Sequence, residues 1–351
     1  MKPSLLALSP EELRDTVVRL GGKPFHAKVA REALLKQGTL DYAGMTALPA
    51  ALREALAAEV PLFSGALEDS VRAKDGAHKL LLRFPPKGDK PALVETVHIP
   101  PLRRADDVDG QRGATLCVST QVGCPVACPF CASGLDGLTR NLAAHEIVEQ
   151  YIHGRALGPL SRSVVMGIGE PLLNVEALCA AMELVTGPIG LGARKVTVST
   201  VGFPDRLRRL VERKPPFQLA ISLHTPFDEQ RDELVPAMAG VPIEEVLAAG
   251  DHWFHVTGRE VTYEYVLLGG VNDTPEHAAR LAERVRGRRC TVNLIPYNPT
   301  SGLGYGRPEQ ADVDGFRDWL IESGIVATVR WSRGLDGSAA CGQLRSRATL
   351  A

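Results

Sequence analysis

The sequence predicts an α/β protein: an open partial barrel of six strand–helix units, preceded by a small helical domain. From residue 114 onward, short apolar segments alternate with longer amphipathic segments, a rhythm typical of a parallel sheet covered by helices. Six units are too few for a closed eightfold barrel, and a doubly wound sheet is the alternative. In both architectures the chemistry belongs at the carboxyl ends of the strands.

The composition limits the class of protein. The chain has 351 residues, 44% of them hydrophobic and 23% charged, which suits about two globular domains. Its 40 basic residues balance 41 acidic ones, so a globally basic nucleic-acid binder is excluded, although a local basic patch is not. We see no membrane span of ~18 apolar residues and no export signal. We therefore expect a cytoplasmic protein whose seven cysteines are metal ligands, catalytic thiols or core residues.

The chain before the barrel divides into two parts. Residues 1–62 predict a helical accessory domain, with a capping box at Ser9-Pro10-Glu11-Glu12 and further helices over 25–36 and 49–58. Residues 63–113 predict a short antiparallel β insertion, because segments 66–73, 78–84 and 92–99 alternate or run apolar between turn signals. A charged loop containing Arg103, Arg104 and Arg112 closes this part.

The barrel is predicted over residues 114–300, and residues 301–351 form a C-terminal extension. The expected strands are 114–119, 162–167, 194–199, 217–222, 260–267 and 289–295. Helical segments are expected near 142–155, 174–187, 204–213, 242–256, 274–286 and 309–321. Ser199, Ser222 and His224 then stand at strand ends, where they face a central cavity or serve as ordinary turn residues.

The strongest chemical signal is a group of three cysteines just after the first barrel strand. Cys124, Cys128 and Cys131 have C-x3-C-x2-C spacing, and Pro125 and Pro129 favour a wrapped loop over a helix. Structural zinc prefers four ligands, and ferredoxin clusters use four thiolates at other spacings. Three thiolates on a four-iron cluster leave one iron open to a substrate or cofactor. Incidental core cysteines and a zinc site are the alternatives.

With Phe130 before its last cysteine, this spacing resembles the signature of radical S-adenosylmethionine (SAM) enzymes. Along essentially its whole length, the chain is similar to the RlmN/Cfr family of RNA adenosine methyltransferases. The matching segments are 94–97, 117–124, 167–172, 198–200, 221–224, 271–273, 293–299 and 340–344. The joint order of these motifs carries the resemblance, which implies a radical-SAM partial barrel and favours the RlmN branch.

The resemblance also assigns cofactors and their residues. Cys124, Cys128 and Cys131 would hold one [4Fe–4S] cluster. The SAM pocket would comprise Gly169, Glu170, Ser199, Ser222, Leu223, His224 and Asn298. Taken alone, the Gly-x-Gly of 167–169 is a weak signal, because a tight strand-to-helix turn explains it about as well. The chain departs from the family at Ile168, where methionine is usual, so the bulk is kept and the thioether is lost.

Three further residues receive catalytic roles from the resemblance. Cys341 is the methyl carrier, Cys117 is the thiol that resolves the adduct, and Glu95 is a proton acceptor near the substrate base. Two SAM molecules serve each turnover: one methylates Cys341, and a radical from the other abstracts hydrogen from that methyl group. Cys117 and Cys341 then form a transient disulfide. Cys179 and Cys290 have the context of packing residues instead.

Substrates and partners follow from the same resemblance. It implies methylation at C2 of an adenosine in 23S rRNA, at the peptidyl-transferase centre, and of adenosine 37 in tRNA. Cfr-type methylation at C8 of the same rRNA adenosine, a radical SAM reaction on a small molecule, and a non-catalytic zinc or RNA-binding module are the alternatives. An electron donor such as flavodoxin, a monomeric state and no membrane are expected.

Local runs of basic residues add a signal from the chain itself. Each run is usual for a solvated helix face, and several runs around a site also suit phosphate contacts. The runs are Arg206, Arg208, Arg209, Arg213 and Lys214; Arg284, Arg286, Arg288 and Arg289; and Arg330, Arg333, Arg345 and Arg347.

Overall fold

The computed structural model describes residues 2–101 and 113–345, and its centre is one long sheet. The strands are β1 (Ala66–Arg72), β2 (His78–Lys87), β3 (Lys90–Ile99), β4 (Ala114–Cys117), β5 (Gln121–Gly123), β6 (Leu138–Asn141), β7 (Leu160–Val165), β8 (Val196–Thr200), β9 (Gln218–Ser222), β10 (Val261–Leu267), β11 (Cys290–Pro296) and β12 (Ala327–Val329). Within the described residues, ten strands join in the order β1-β2-β3-β4-β7-β8-β9-β10-β11-β12, and β5 pairs with β6.

The helices alternate with the barrel strands, as the sequence predicts. They are α1 (Pro10–Arg19), α2 (Phe25–Glu32), α3 (Ala50–Glu59), α4 (Ala144–Arg155), α5 (Val175–Thr186), α6 (Pro204–Glu212), α7 (Asp228–Leu234), α8 (Ile243–Thr257), α9 (Pro275–Val285) and α10 (Gln310–Glu322). None of the helices in the described ranges combines the length and the apolar character that crossing a bilayer requires.

Parallel pairing runs from β4 through β7, β8, β9, β10 and β11 to β12. All six expected strands form, with ends shifted by a few residues at most. β12 is an additional parallel strand beside β11, inside the region that the sequence assigns to the C-terminal extension. Its three residues are too few to show an alternating pattern, which is why the sequence does not reveal it.

Strand register decides which side chains face the interior of the partial barrel. Directly opposed residues of paired strands share a face, and the side chains along one strand alternate between faces. Ser222 lies opposite Glu264, Glu264 opposite Asn293, and Asn293 opposite Thr328. These four residues form a polar row across neighbouring strands. The opposite face carries apolar residues that are fully buried, including Val198, Leu219 and Tyr263.

The antiparallel strands β1 to β3 extend this same sheet beyond β4. Val97 on β3 lies opposite Cys117 on β4, and Lys79 on β2 lies opposite Val97. Glu95 is two residues from Val97 on the same strand and therefore shares its face. The predicted antiparallel insertion is thus continuous with the barrel sheet. The face that lines the barrel interior at Cys117 continues across β3 and β2. The loop with Arg103, Arg104 and Arg112 lies outside the described residues.

The N-terminal helices form as the capping signals predict. The Ser9 hydroxyl accepts from Glu12 N over 3.2 Å, and Glu12 Oε2 accepts from Ser9 N over 2.8 Å. The second predicted helix changes to a π-helical turn at Ala33–Gln37. Glu149 on α4 joins this region to the barrel, because its carboxylate accepts from Ser64 N over 2.8 Å.

Candidate functional site

The three cysteines of the C-x3-C-x2-C motif lie in a loop between β5 and a short 3-10 turn at Ala132–Gly134. The loop folds back on itself: Cys131 N donates to Cys128 O over 3.0 Å, and Ala127 has a positive φ of 58°. All three thiols line one cavity, and Cys128 interacts electrostatically with both other thiols. The structure therefore brings together the three cysteines that the sequence singles out.

Burial dominates the electrostatics of this cysteine loop. It raises the pKa of the Cys124 thiol to about 12 and the pKa of Cys128 well above its usual range. Thiols of this kind deprotonate on binding a metal, and thiolate sulfur is the donor that iron–sulfur clusters use. The donor set thus fits a cluster with three protein ligands. Among the described residues, no group of three His, Cys, Asp or Glu side chains is arranged to hold a single metal ion.

A buried arginine lies behind the cysteine loop. Arg231 on α7 is 1% exposed, and its Nη2 donates to Val201 O over 2.7 Å. Within the described part of the chain, its Nε and Nη1 have no hydrogen-bond partner. Burial lowers the pKa of Arg231 to about 10, and the neighbouring Cys128 thiol acts in the opposite direction. A buried cation in this position favours the thiolate form of Cys128.

The turn after β7 brings backbone against the cavity. Gly169 has a φ of +112°, and a Cβ at this position would lie 2.7 Å from Gln121 Cβ. Both the backbone conformation and the close approach therefore require glycine. The weak Gly-x-Gly signal of the sequence corresponds to a place where backbone lines the cavity.

Glu170 links the turns that follow β7 and β8. Its carboxylate is buried and accepts from Leu172 N over 2.8 Å, from Thr200 Oγ1 over 2.5 Å and from Val201 N over 2.9 Å. Burial raises its pKa, and these donors oppose that effect. A carboxylate offers about four acceptor positions, so a ligand donor can still be accepted beside these three.

Ser199 and Ser222 lie on adjacent strands with their hydroxyl oxygens 3.3 Å apart, and both line the cavity. His224 also lines it, and its Nδ1 accepts from Val266 N over 3.2 Å. Burial lowers the pKa of His224 to about 3, so its imidazole is neutral. Leu223, by contrast, packs into the hydrophobic core, and it is not among the described residues that line the cavity.

Asn298 connects this pocket to residues 334–345, which we call the Cys341 segment. Its Nδ2 donates to Cys341 O over 3.0 Å and to Ser332 Oγ over 2.7 Å. From the cysteine loop, Ala132 N donates to Gly342 O over 2.8 Å. Cys341 lines the cavity of the three cysteines; the residue is open to solvent, whereas protein atoms crowd around its thiol. Residues that are distant in the chain therefore hold the Cys341 thiol beside the candidate cluster site.

A second cavity shares Met166 and Cys341 with the first and is also lined by Cys117 and Arg330. Arg330 Nη1 lies 3.1 Å from Met166 Sδ. Burial raises the pKa of Cys117 to about 11 and that of Cys341 to about 12, and Arg330 acts to lower both. Both cysteines are free thiols. The two cysteines expected to react with each other thus lie on one cavity beside the same cation.

Glu95 lies beneath the Cys341 segment. It is 2% exposed, and its carboxylate accepts from Arg345 N over 2.7 Å and pairs with Lys79 Nζ at 2.8 Å. It is not among the described lining residues of either cavity, so its role as a proton acceptor stays a prediction. Ile168 packs in the same region against Ala339 and Leu344. The isoleucine therefore supplies apolar contact where the family usually has a thioether.

Sequence reasoning missed Glu264 and Arg231 as parts of this site. Glu264 lines the first cavity, accepts from Asn293 Nδ2 over 2.7 Å, and has a pKa that burial raises to about 6. The sequence could have indicated Glu264, because it is the single charged residue in the apolar strand β10. Arg231 gave no such signal, since it occurs in an acidic, polar helix that reads as exposed.

The basic runs divide into two kinds. In the runs on α6 and around α9, five arginines pair with carboxylates: Arg208 with Asp205, Arg213 with Glu176, Arg284 with Asp228, Arg288 with Glu244, and Arg289 with Glu260. In the third run, Arg330 and Arg333 line the second cavity, Arg333 also pairs with Asp75, and Arg345 pairs with Asp136. Arg347 lies outside the described residues.

Comparison with known proteins agrees with this geometry. Residues 118–282 match the Radical SAM superfamily. A protein of Rhodopirellula baltica named "Probable dual-specificity RNA methyltransferase RlmN" is 43% identical over 350 residues, covering 98% of this chain and 91% of that protein. A protein of the same name from Parasynechococcus marenigrum is 43% identical over 353 residues, 98% of each chain.

A solved structure gives the same result for the fold. The crystal structure of a radical SAM methyltransferase from Sphaerobacter thermophilus superposes with a TM-score of 0.88 at 40% identity, covering 98% of this chain and 100% of that one. The predicted α/β partial barrel is thereby confirmed. Similarity at this level over nearly the full length shows that the chain belongs to the RlmN family of radical SAM methyltransferases.

Proposed function

We propose that this protein methylates C2 of an adenosine in 23S rRNA, at the peptidyl-transferase centre, and adenosine 37 of tRNA, through a methyl group carried on Cys341. One observation carries the proposal: Cys341 lines both the cavity of the three cysteines and the cavity of Cys117. A thiol in this position can take a methyl group on one side and be attacked by a second thiol on the other. The names of the relatives, dual-specificity RNA methyltransferases, support RNA as the substrate.

Cys124, Cys128 and Cys131 would hold a [4Fe–4S] cluster, with SAM in the pocket of Gly169, Glu170, Ser199, Ser222, His224 and Asn298. Bound there, the cluster and two SAM molecules per turnover supply the methyl group and the one-electron chemistry that an electron-poor amidine carbon requires. The hydroxyl groups of Ser199 and Ser222 offer hydrogen bonds to ribose, and the neutral His224 ring closes the pocket edge.

The protein residues carry the remaining steps. Cys341 Sγ bears the methyl carbon, and Glu95 accepts the proton that leaves the methylated base carbon. Cys117 Sγ then attacks Cys341 Sγ, so that a disulfide forms as the bond from Cys341 to the product carbon breaks; the electron pair of that bond stays with the carbon, which takes up a proton to complete the methyl group. Arg330 acts to lower the pKa of both thiols, which favours the thiolate that each sulfur step needs.

The substrate base would enter by the second cavity. An adenine inside a stacked helix cannot reach a barrel interior, so it must turn out of its stack. Trp331 lines this cavity and is 45% exposed, which offers an aromatic face to an unstacked base. Arg333 on the same lining offers charge to phosphate. A monomeric enzyme supplied with electrons by a flavodoxin-type donor completes the proposal.

Mass spectrometry tests it directly. Trypsin releases residues 334–345 as a peptide whose single cysteine is Cys341, because cleavage follows Arg333 and Arg345. After anaerobic incubation with SAM and RNA, we expect a methyl group on this peptide and 2-methyladenosine in the RNA. A Cys290→Ala variant, which lacks a thiol far from both cavities, should behave like the natural chain. A Cys341 peptide that stays unmodified contradicts the proposal, and 8-methyladenosine assigns the chain to the Cfr-type reaction.

A further inference from the structure

A buried ion pair not yet assigned any role joins the Cys341 segment to the sheet. Lys79 on β2 is 8% exposed. Its Nζ lies 2.8 Å from Glu95 Oε1 on β3 and donates to Ser338 O over 3.2 Å. Lys79 therefore contacts the neighbouring strand and the Cys341 segment with the same ammonium group.

The partner carboxylate holds the other end of the segment. Glu95 Oε2 accepts from Arg345 N over 2.7 Å. The ion pair thus fixes the chain on both sides of Cys341, at Ser338 and at Arg345. Apolar residues surround these contacts, among them Ala77, Val97 and Leu344. Charge-assisted hydrogen bonds are stronger in such water-poor surroundings than at the surface.

Two other groups of contacts hold the segment: Asn298 Nδ2 and Ala132 N hold Cys341 O and Gly342 O from the barrel side, and the turn between β1 and β2 holds its start. Gly334 N donates to Asp75 Oδ2 over 2.7 Å, and Lys74 N donates to Asp336 Oδ2 over 3.0 Å. Both hydrogen bonds join the turn between β1 and β2 to residues of the segment that precede Ser338. Lys79 contacts the segment closer to the thiol, at Ser338 O, three residues before Cys341.

We propose that Lys79 is a positioning residue for the Cys341 thiol, and that the Lys79–Glu95 ion pair is a latch that holds the Cys341 segment over the second cavity. This inference rests on the proposed role of Cys341. Because Lys79 Nζ and Arg345 N each engage one oxygen of Glu95, turning this carboxylate toward a substrate base breaks at least one of these contacts. Movement of the segment and movement of the proton acceptor are then coupled.

Hydrogen exchange of the purified full chain, read by mass spectrometry on residues 334–345, tests the latch. In Lys79→Met we expect these amides to exchange about tenfold faster, because losing one charge-assisted contact shifts a local opening equilibrium by that order. Lys79→Arg keeps the charge and its donors and should restore most of the protection. Lys87→Met, at the exposed far end of β2, is the matched control and should change nothing.

Removing Lys79 alone leaves the Glu95 charge buried and can destabilise the whole chain. The double variant Lys79→Met/Glu95→Gln avoids this, and faster exchange confined to 334–345 in that variant supports the latch. Unchanged exchange in both variants, or faster exchange spread over α8 and α9 in both, overturns it. SAM binding by equilibrium dialysis should stay within about twofold in each variant, since Lys79 lines neither cavity. Failure of the proposed function itself would show separately, as an unmethylated Cys341 in the natural chain.

Discussion

The cysteine loop and the Cys341 segment meet at one cavity, yet they are held by different means. Contacts within a short stretch of chain position the cysteine loop: Cys124 N donates to Gly137 O over 3.1 Å, and Cys131 N to Cys128 O over 3.0 Å. Residues far away in the sequence position the Cys341 segment, namely Asp75, Lys79, Glu95 and Asn298. Ligand spacing is thus encoded locally, whereas the placement of the carrier thiol depends on the assembled fold.

This difference predicts two classes of defect. Changes in the cysteine loop should alter what the protein retains, namely iron and SAM. Changes around the Cys341 segment should leave the bound iron and SAM unchanged and should alter the rate at which Cys341 is methylated or passes its methyl group on. Four predictions compare the two regions, and the largest effect comes from the thiols themselves.

Cys124→Ala and Cys341→Ala should each reduce RNA methylation on the order of 10³-fold or more, because a reacting group or a ligand is lost. They should differ in iron content: Cys341→Ala keeps iron and sulfide at the natural level, and Cys124→Ala loses most of both. Iron analysis beside nucleoside mass spectrometry checks this, with Cys290→Ala as the control. Equal iron loss in both variants would remove the distinction between the two regions.

Gly169→Ala should destabilise the SAM side of the cavity by about 2–4 kcal/mol, since it combines an unfavourable φ with a steric clash. Gly190→Ala is the matched control, because Gly190 also has a positive φ, of +88°, but a Cβ there meets nothing within 4 Å. Thermal unfolding and SAM binding measure the difference. Identical losses in the two variants would show that backbone strain alone is responsible.

Arg231→Met should make the bound cluster harder to reduce, because a buried positive charge beside Cys128 favours the more negative, reduced state. We expect the reduction potential to fall by about 60 mV, which corresponds to a tenfold change for one electron. Potentiometric titration followed by electron paramagnetic resonance measures this shift. Arg213→Met, which removes an arginine that is 46% exposed and pairs with Glu176, should leave the potential unchanged.

Arg330→Met should slow methylation of Cys341 roughly three- to tenfold at a given pH, the smallest of the four predicted effects. The thiolate is the nucleophile, and removing a cation that lowers the pKa of Cys341 reduces the thiolate fraction. With a pKa of about 12 in the natural chain, the rate should rise with pH throughout the range of ordinary assays. Single-turnover labelling of the 334–345 peptide between about pH 7 and 9 measures the methylation rate against pH for the natural chain and for Arg330→Met. Superimposable profiles would contradict a role for Arg330.

The same contrast explains what the sequence could predict. Alternation and turn signals sufficed for the six expected strands, because each strand is long enough to show its period. The three cysteines were evident because their spacing lies within one loop. Lys79 was not, and Arg330 was named only as part of a basic run, since the roles of both depend on contacts with residues far along the chain, Ser338 and Met166. Recognition of Cys117, Glu95 and Cys341 depended on family resemblance and not on any local pattern.

One further consequence comes from how the chain end spans the open side of the sheet. Arg330 follows β12 at one edge, and the Cys341 segment reaches back to β2 and β3 near the other. Each residue of extended chain covers at most about 3.6 Å, so deleting a single residue between Arg330 and Cys341 would displace the sulfur by up to that amount. Misplacement of even ~1 Å is costly for group transfer. Relatives should therefore tolerate exchanges among small residues in this stretch far better than insertions or deletions.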